Sequence, residues 1–208
     1  MTYIYHSCFA IETEECTVII DYYEDPGGCL AGILGRAKRV YVLASHAHHD
    51  HFNPEVIEIT RGCGDVTYVF SDDISAEVPA VLLRKGLSYE DAFVKIQAFG
   101  STDEGVSFMI EISGKSIFHA GDLNNWHWNE EVSEERAAGY EKKFLRELSH
   151  IGRVAKKFDV VMFPMEPRLG KDYELGAQQF KDMFDIGTFL PMHFGDKAFL
   201  KQGEEIII

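Results

Sequence analysis

The apolar run Val40-Tyr41-Val42-Leu43-Ala44 is followed at once by Ser45-His46-Ala47-His48-His49-Asp50-His51. Five continuous apolar residues read as a strand buried on both faces. Five of the six residues from His46 to His51 carry a side chain that binds metal. A divalent cation needs three or more such donors converging within about 2.0–2.3 Å of it. A loop leaving the end of a buried strand is a place where several side chains can be folded onto one point. His46 and His48 are two apart, so in extended backbone they share a direction. Asp50 and His51 can turn toward a second, neighbouring point, so this one loop can serve two metals. As a merely solvated loop the block makes little sense, because closely spaced histidines repel one another as they protonate.

Composition excludes several alternatives. With 208 residues, 46% of them hydrophobic and 26% charged, the chain has an ordinary globular composition, and residues 1–208 read as one domain. Thirty-four acidic residues against twenty basic ones give a formal charge of -14, which disfavours nucleic acid as a partner. No apolar stretch reaches the eighteen or so residues of a membrane helix, and the start Met1-Thr2-Tyr3-Ile4-Tyr5-His6 lacks the pattern of a signal peptide. Cys8, Cys16, Cys29 and Cys63 form no C-x-x-C pair and read as reduced thiols of a cytoplasmic protein. None adjoins a histidine of the cluster, which argues against cysteine catalysis.

Strand signals dominate the first half: Cys8 to Thr13, Thr17 to Ile20, Val40 to Ala44, Val66 to Phe70, Phe93 to Phe99, Val106 to Ile112 and Ser116 to His119. Glu14-Glu15 and Ser113-Gly114-Lys115 read as hairpin tips, and Asn53-Pro54 opens a short helix. Helical spacing predicts a long helix from about Ser133 to Phe158 and another from Leu175 to Phe184, with buried strands over Asp159 to Phe163 and Thr188 to Met192. Strands early, then strands alternating with helices, favour an α/β layered fold with sheet inside and helices outside.

His46-x-His48-x-Asp50-His51 resembles the H-x-H-x-D-H signature of the metallo-β-lactamase superfamily. That resemblance implies a four-layer αββα sandwich with a metal site at one edge of its two sheets. It implies that Asp21, after Val18-Ile19-Ile20, hydrogen-bonds the metal loop. Asp122, in Gly121-Asp122 after a strand, would bridge two metals, and His193, in Pro191-Met192-His193-Phe194-Gly195, would complete the second site. The implied ligands are therefore His46, His48, Asp50, His51, Asp122 and His193, with Asp50 also orienting the nucleophile. Tyr5-His6-Ser7-Cys8-Phe9, Phe163-Pro164 and the closing Pro-Met-His resemble the L-ascorbate-6-phosphate lactonase-like branch. The extra domain of RNA-processing members has no counterpart.

The sequence departs from the family at one point. A histidine usually precedes the strand that here starts near Val106, and Ser101 stands in its place. The first site then keeps His46, His48 and Asp122, with Ser101 or Asp103 as substitutes, or His119 or His127 reaching in. The resemblance implies one or two divalent cations, zinc foremost, with manganese or iron suited to an oxygen-richer site. His6, Asp21, His119, His127 and Arg168 are expected around the ligands or against substrate. For Asn124-Asn125-Trp126-His127-Trp128-Asn129 two readings stand open, anchors for the following helix or a wall of the substrate pocket. Arg168 either pairs with an acid such as Glu166 or holds a carboxylate or phosphate.

The function expected is hydrolysis, by metal-activated water, of an ester, lactone or phosphoester bond in a small anionic substrate. Two alternatives accompany it: a degenerate metal- or metabolite-binding protein without turnover, and an iron-dependent oxidoreductase on the same fold. Exposed sheet edges leave room for a homo-oligomer.

Overall fold

A computed structural model describes residues 1–195 and 199–207. Its first sheet has six strands in sequential order: β1 (Thr2–Tyr5), β2 (Cys8–Glu12), β3 (Thr17–Ile20), β4 (Val40–Ala44), β5 (Val66–Ser71) and β6 (Val81–Leu83). β1, β2 and β3 pair antiparallel, and β3 to β6 run parallel. The parallel steps require crossovers. α1 (Leu30–Leu34) supplies the one before β4, and α2 (Glu55–Thr60) the one before β5.

The second sheet also has six strands: β7 (Ser88–Glu90), β8 (Val94–Gly100), β9 (Val106–Ile112), β10 (Lys115–His119), β11 (Lys157–Pro164) and β12 (Asp185–Met192). Its first four strands are an antiparallel meander, and the last two are parallel additions. α3 (Glu134–Ile151) crosses from β10 to β11, and α4 (Leu175–Met183) from β11 to β12. Inward residues of both sheets, among them Phe9, Val18, Ile20, Ile96, Phe108 and Ile110, form one apolar cluster. Phe144, Leu148 and Phe180 of α3 and α4 extend it to the far side of the second sheet, and a separate cluster lies under α1 and α2. This is the metallo-β-lactamase fold, two mixed sheets between helical layers.

Several elements differ from the sequence reading. α3 stops at Ile151, not near Phe158. Gly152 closes it, its N–H donating to the Leu148 carbonyl, and Phe158 is fully buried inside β11. Val154 and Ala155, at helical spacing, belong to the connection, where Val154 is exposed. Ser133 caps the start of α3 by accepting from Arg136 N–H. β6, β7, α1 and a 3-10 turn over Pro167–Asp172 were not anticipated, being only three to six residues long.

The architecture places the carboxyl ends of β3, β4, β10, β11 and β12 at one edge. They lead directly into Asp21, Ser45-His46, Ala120-Gly121-Asp122, Met165-Glu166 and His193, and the β1–β2 turn adds His6. Ligands of open α/β sheets bind at such carboxyl ends.

Candidate metal centre

Asp21 organises the loop after β4. It sits at φ 51, fully buried. Its Oδ1 accepts from the Ser45 backbone N–H at 2.7 Å, and its Oδ2 from Ser45 Oγ at 2.7 Å and His51 Nδ1 at 2.7 Å. Burial opposes the Asp21 charge, but the facing imidazoles of His119, His51 and His46 outweigh it and hold the carboxyl below its ordinary range.

These bonds fix tautomers. Because Ser45 Oγ–H donates to Asp21, its oxygen accepts from His46 Nδ1 at 3.0 Å, which leaves His46 Nε2 as a bare lone pair. His51 gives its Nδ1–H to Asp21 and likewise presents Nε2. His193 gives its Nδ1–H to Glu166 Oε2 at 3.0 Å and presents Nε2. Three imidazoles are thus oriented through the outer nitrogen, as metal-ligating histidines are.

The inner atoms fall into two groups, each with donor atoms within 4.8 Å of one another: His46, His48 and Asp122, and His6, Asp50, His51 and His193. Asp122 lies between them. Its Oδ2 is 3.4 Å from His46 Nε2, and its Oδ1 is 3.2 Å from His51 Nε2 and 3.5 Å from His193 Nε2. His46 Nε2 also meets His48 Nδ1 at 3.0 Å. Asp50 Oδ2 is 3.3 Å from His6 Nε2 and 3.8 Å from His193 Nε2.

Buried polar atoms are normally paired. Yet His6 Nε2, His51 Nε2 and Asp122 Oδ1 are buried without an aligned hydrogen-bond partner, and all three belong to this centre. Imidazole nitrogens and carboxylates left unpaired around one point are the donor set of a divalent cation. The residues fit such an ion.

The charges describe the metal-free centre. Burial alone would depress the His51 pKa. The Asp122 charge, with the contacts to Asp122 and Asp21, raises it to about 10, so without a cation Nε2 holds a proton toward Asp122, and a bound metal would take that proton's place. Asp122 is held well below the carboxylate range because His51, His46 and His193 surround it and overcome the cost of its burial. His6 beside Asp50, with His51 and His193 behind, lowers Asp50 strongly against a smaller opposing effect of burial. His6 itself is lowered, chiefly by burial.

The remaining expected residues divide clearly. His119 accepts from Gly121 N–H through Nδ1 and gives Nε2–H to the Ser7 carbonyl, so both ring nitrogens are committed outside the donor groups. It braces the turn before Asp122 and faces Asp21 at 3.8 Å. His127 is buried away from the centre, bonded to the Asp172 carbonyl and Asn129 N–H. Ser101 joins neither group; its hydroxyl accepts from Asp103 N–H at 3.2 Å. Asp103 is in neither group either, but lines a cavity of about 420 Å³ over the centre with His48, Asp50, Asp122 and Arg168. That loop fits tightly beneath His46: at Gly105, φ 63, an added Cβ would overlap the Ser45 carbonyl. His49 is exposed and meets Tyr23 edge-on at 5.3 Å.

Two contributions were not foreseen. His6 enters a donor group directly, carried there by the β1–β2 turn at φ 54. From sequence, Glu166 reads only as a partner of Arg168. It does bind Arg168 Nη2, at 2.7 Å, but the same oxygen receives His193. Burial opposes its charge, yet His193 and Arg168 bring its pKa down to about 2. Its position just past a buried strand, like that of the ligands Asp122 and His193, is the available signal.

Residues 1–137, more than half of the chain, match a family model described as the beta-lactamase superfamily domain. The chain belongs to the beta-lactamase superfamily. Among solved structures, CmlA, a diiron beta-hydroxylase from Streptomyces venezuelae, is similar with a TM-score of 0.61 at 15% identity, over 93% of this chain and 44% of its own. This superfamily member thus spans less than half the length of that hydroxylase. A putative Zn-dependent hydrolase of the metallo-beta-lactamase superfamily from Thermotoga maritima matches with a TM-score of 0.52 at 21% identity, over 96% of this chain and 77% of that one. The short form of human tRNase Z matches at 0.54 and 14%, over 91% and 86%. At these identities the likeness is one of fold. Among the described residues no helix is long and apolar enough to cross a membrane.

Proposed function

We propose that residues 1–208 form one metal-dependent hydrolase domain acting on an ester, lactone or phosphoester bond of a small anionic substrate. The observation that carries this reading is the convergence of two donor groups, with Asp122 between them, on a cavity that also holds Arg168. His46, His48 and Asp122 would hold one cation, and His6, Asp50, His51 and His193 a second, zinc being best suited to so many imidazoles. A cation there supplies Lewis acidity, bringing water toward ionisation near neutral pH and drawing off charge that develops on the substrate.

The protein's own groups do the rest. Asp50, half-exposed at the cavity, orients the attacking water and takes part in moving its proton. Its depressed pKa keeps it an acceptor at neutral pH. Arg168 uses one guanidinium nitrogen on Glu166 and stays largely exposed, and its raised pKa, set first by Glu166, keeps it cationic. It gives a chain of net charge -14 a local site for an anion. Lactones of the L-ascorbate-6-phosphate type belong in the substrate panel because of the His6 segment. Four free thiols accord with a cytoplasmic location.

The test is elemental analysis of protein purified without added metal, followed by hydrolysis of a lactone and phosphoester panel before and after chelation. One or two equivalents of metal and activity that chelation abolishes support the reading. Tight metal binding without turnover across the panel refutes it in favour of a binding protein.

A further inference from the structure

Two indole rings stand beside the donor groups, and hydrolysis as such does not require them. Trp126 is packed, 9% exposed, and its Nε1–H donates to the Asp122 carbonyl at 2.9 Å. It meets the His193 ring edge-on at 6.1 Å. Trp128 lies 6.3 Å away with its ring plane only 15° from that of Trp126, and it is half-buried. Both rings line the cavity that holds Arg168 and Asp50. Between them His127 is tied down elsewhere, giving Nε2–H to the Asp172 carbonyl and accepting from Asn129 N–H.

Trp128 has φ 46. A bulky aromatic residue in the left-handed region is an outlier. Such strain persists only where the surroundings impose it, and it concentrates at functional sites. The strained turn and its His127 pin place a second flat ring beside one already anchored on a metal ligand. A helix anchor would need neither the near-parallel rings nor a place on the cavity wall.

We infer that the substrate is a small anion carrying a flat aromatic or heteroaromatic ring. The ring stacks on Trp128, and the anionic group lies between Arg168 and the donor groups. This deepens, and rests on, the hydrolytic reading above. Aromatic walls favour ring partners through offset stacking, over and above the area they cover.

The experiment titrates zinc-loaded protein with phenylphosphonate and with methylphosphonate, which match in charge and contain no ester bond, and follows binding by calorimetry. Phenylphosphonate binds about tenfold more tightly to the unaltered protein, the scale expected for aromatic stacking plus buried ring area. Trp128→Leu brings the ratio close to unity with methylphosphonate affinity unchanged, whereas Trp128→Phe keeps most of the preference. Arg168→Gln weakens both ligands by a similar factor. Equal affinities in the unaltered protein overturn the inference, as does a Trp128→Leu variant that keeps the preference or weakens both ligands alike. Zinc content is measured on the same samples. Zinc-loaded protein that binds neither phosphonate overturns this inference and leaves the metal centre standing. Protein that takes up no zinc overturns the hydrolytic reading itself and the inference with it.

Discussion

Glu166→Gln tests whether the outer hydrogen bonds of this centre set its hold on metal. Glu166 Oε2 accepts from both His193 Nδ1 and Arg168 Nη2, and Oε1 accepts from the Arg168 backbone N–H at 2.9 Å. A glutamine can place only one oxygen. Put at the Oε2 position, it keeps His193 and Arg168 Nη2 but sets its NH2 against the Arg168 N–H. Put at the Oε1 position, its NH2 faces two donors. The first arrangement is therefore preferred, so His193 keeps its tautomer but loses the negative charge behind it. Outer-group changes of this kind weaken metal binding by about 10–100-fold. Glutamine, which preserves the orientation, belongs near the lower end, about 1.4 kcal/mol, and Glu166→Ala near the upper, about 2.7 kcal/mol.

Folding stability falls less steeply with charge than with geometry. The Arg168 side chain is 71% exposed, so its ion pair adds little. The lost hydrogen bond to a buried carboxylate accounts for about 2 kcal/mol. Zinc affinity is read by competition against a chromogenic chelator, and stability by melting the metal-free protein. Zinc affinities of both variants within about a factor of two of the unaltered protein would refute the reasoning, since the expected loss is at least about tenfold. His193→Ala then separates the causes: if it too leaves zinc binding unchanged, His193 is no ligand, and if it weakens binding, the error lies in the role given to Glu166.

Asp122→Ala removes the carboxylate between the two donor groups, so metal content by mass spectrometry and hydrolysis should fall together; full metal content would deny its ligand role. His6→Ala should weaken zinc binding by at least about tenfold, while His49→Ala, exposed against Tyr23, should match the unaltered protein in the same titration. Asp91 lies apart from the donor groups and accepts from Tyr41 OH at 2.6 Å, Tyr89 OH at 2.9 Å, Phe93 N–H at 2.8 Å and Val94 N–H at 3.1 Å. Burial opposes its charge, but these donors lower its pKa, so its stabilisation is complete above the ordinary value of 3.8 and is lost as pH falls through the lower folded value. Asp91→Asn should therefore lower stability by about 2 kcal/mol near neutrality, and by less in acid, with zinc affinity unchanged. Urea melts giving the same gap at both pH values would contradict this.

The sequence was most legible where a local signal coincided with a strand end. Val40–Ala44 ran straight into a block too rich in donors for any bland reading, and Asp21, Asp122 and His193 each followed a short apolar run. Glu166 had the same signature, but its nearness to Arg168 in sequence suggested a simple ion pair. His6 was harder. It belongs to the β1–β2 turn, and only tertiary structure brings that turn to the end of β12, where the His193 N–H donates to the His6 carbonyl at 3.2 Å. β6 and β7 escaped notice because three residues carry no readable period. The end of α3 was misplaced because Val154 and Ala155 fell at helical spacing by chance, and the closure at Gly152 is a backbone event.

The same centre shows what the fold contributes beyond the motif. Among the described residues, five other than glycine have φ in the left-handed region, and His6, Asp21 and His193 are three of them. Each ends or follows a strand that delivers it to the centre, and Trp128 is a fourth, on the cavity wall. Positions of this kind cost on the order of 1 kcal/mol or more apiece, and they persist because the surrounding structure over-determines them. Here that structure is the apolar cluster shared by both sheets, in which Phe9, Ile20, Phe108 and Met162 are almost wholly buried. The strain would be pointless if the ligands only had to come near one another, since flexible loops could do that. It is intelligible if the outer nitrogens of His51 and His193 must meet Asp21 and Glu166 at fixed angles, so that each ring turns a bare Nε2 inward. On this argument, the sandwich does more than gather donors: it sets which nitrogen of each ring is free to bind.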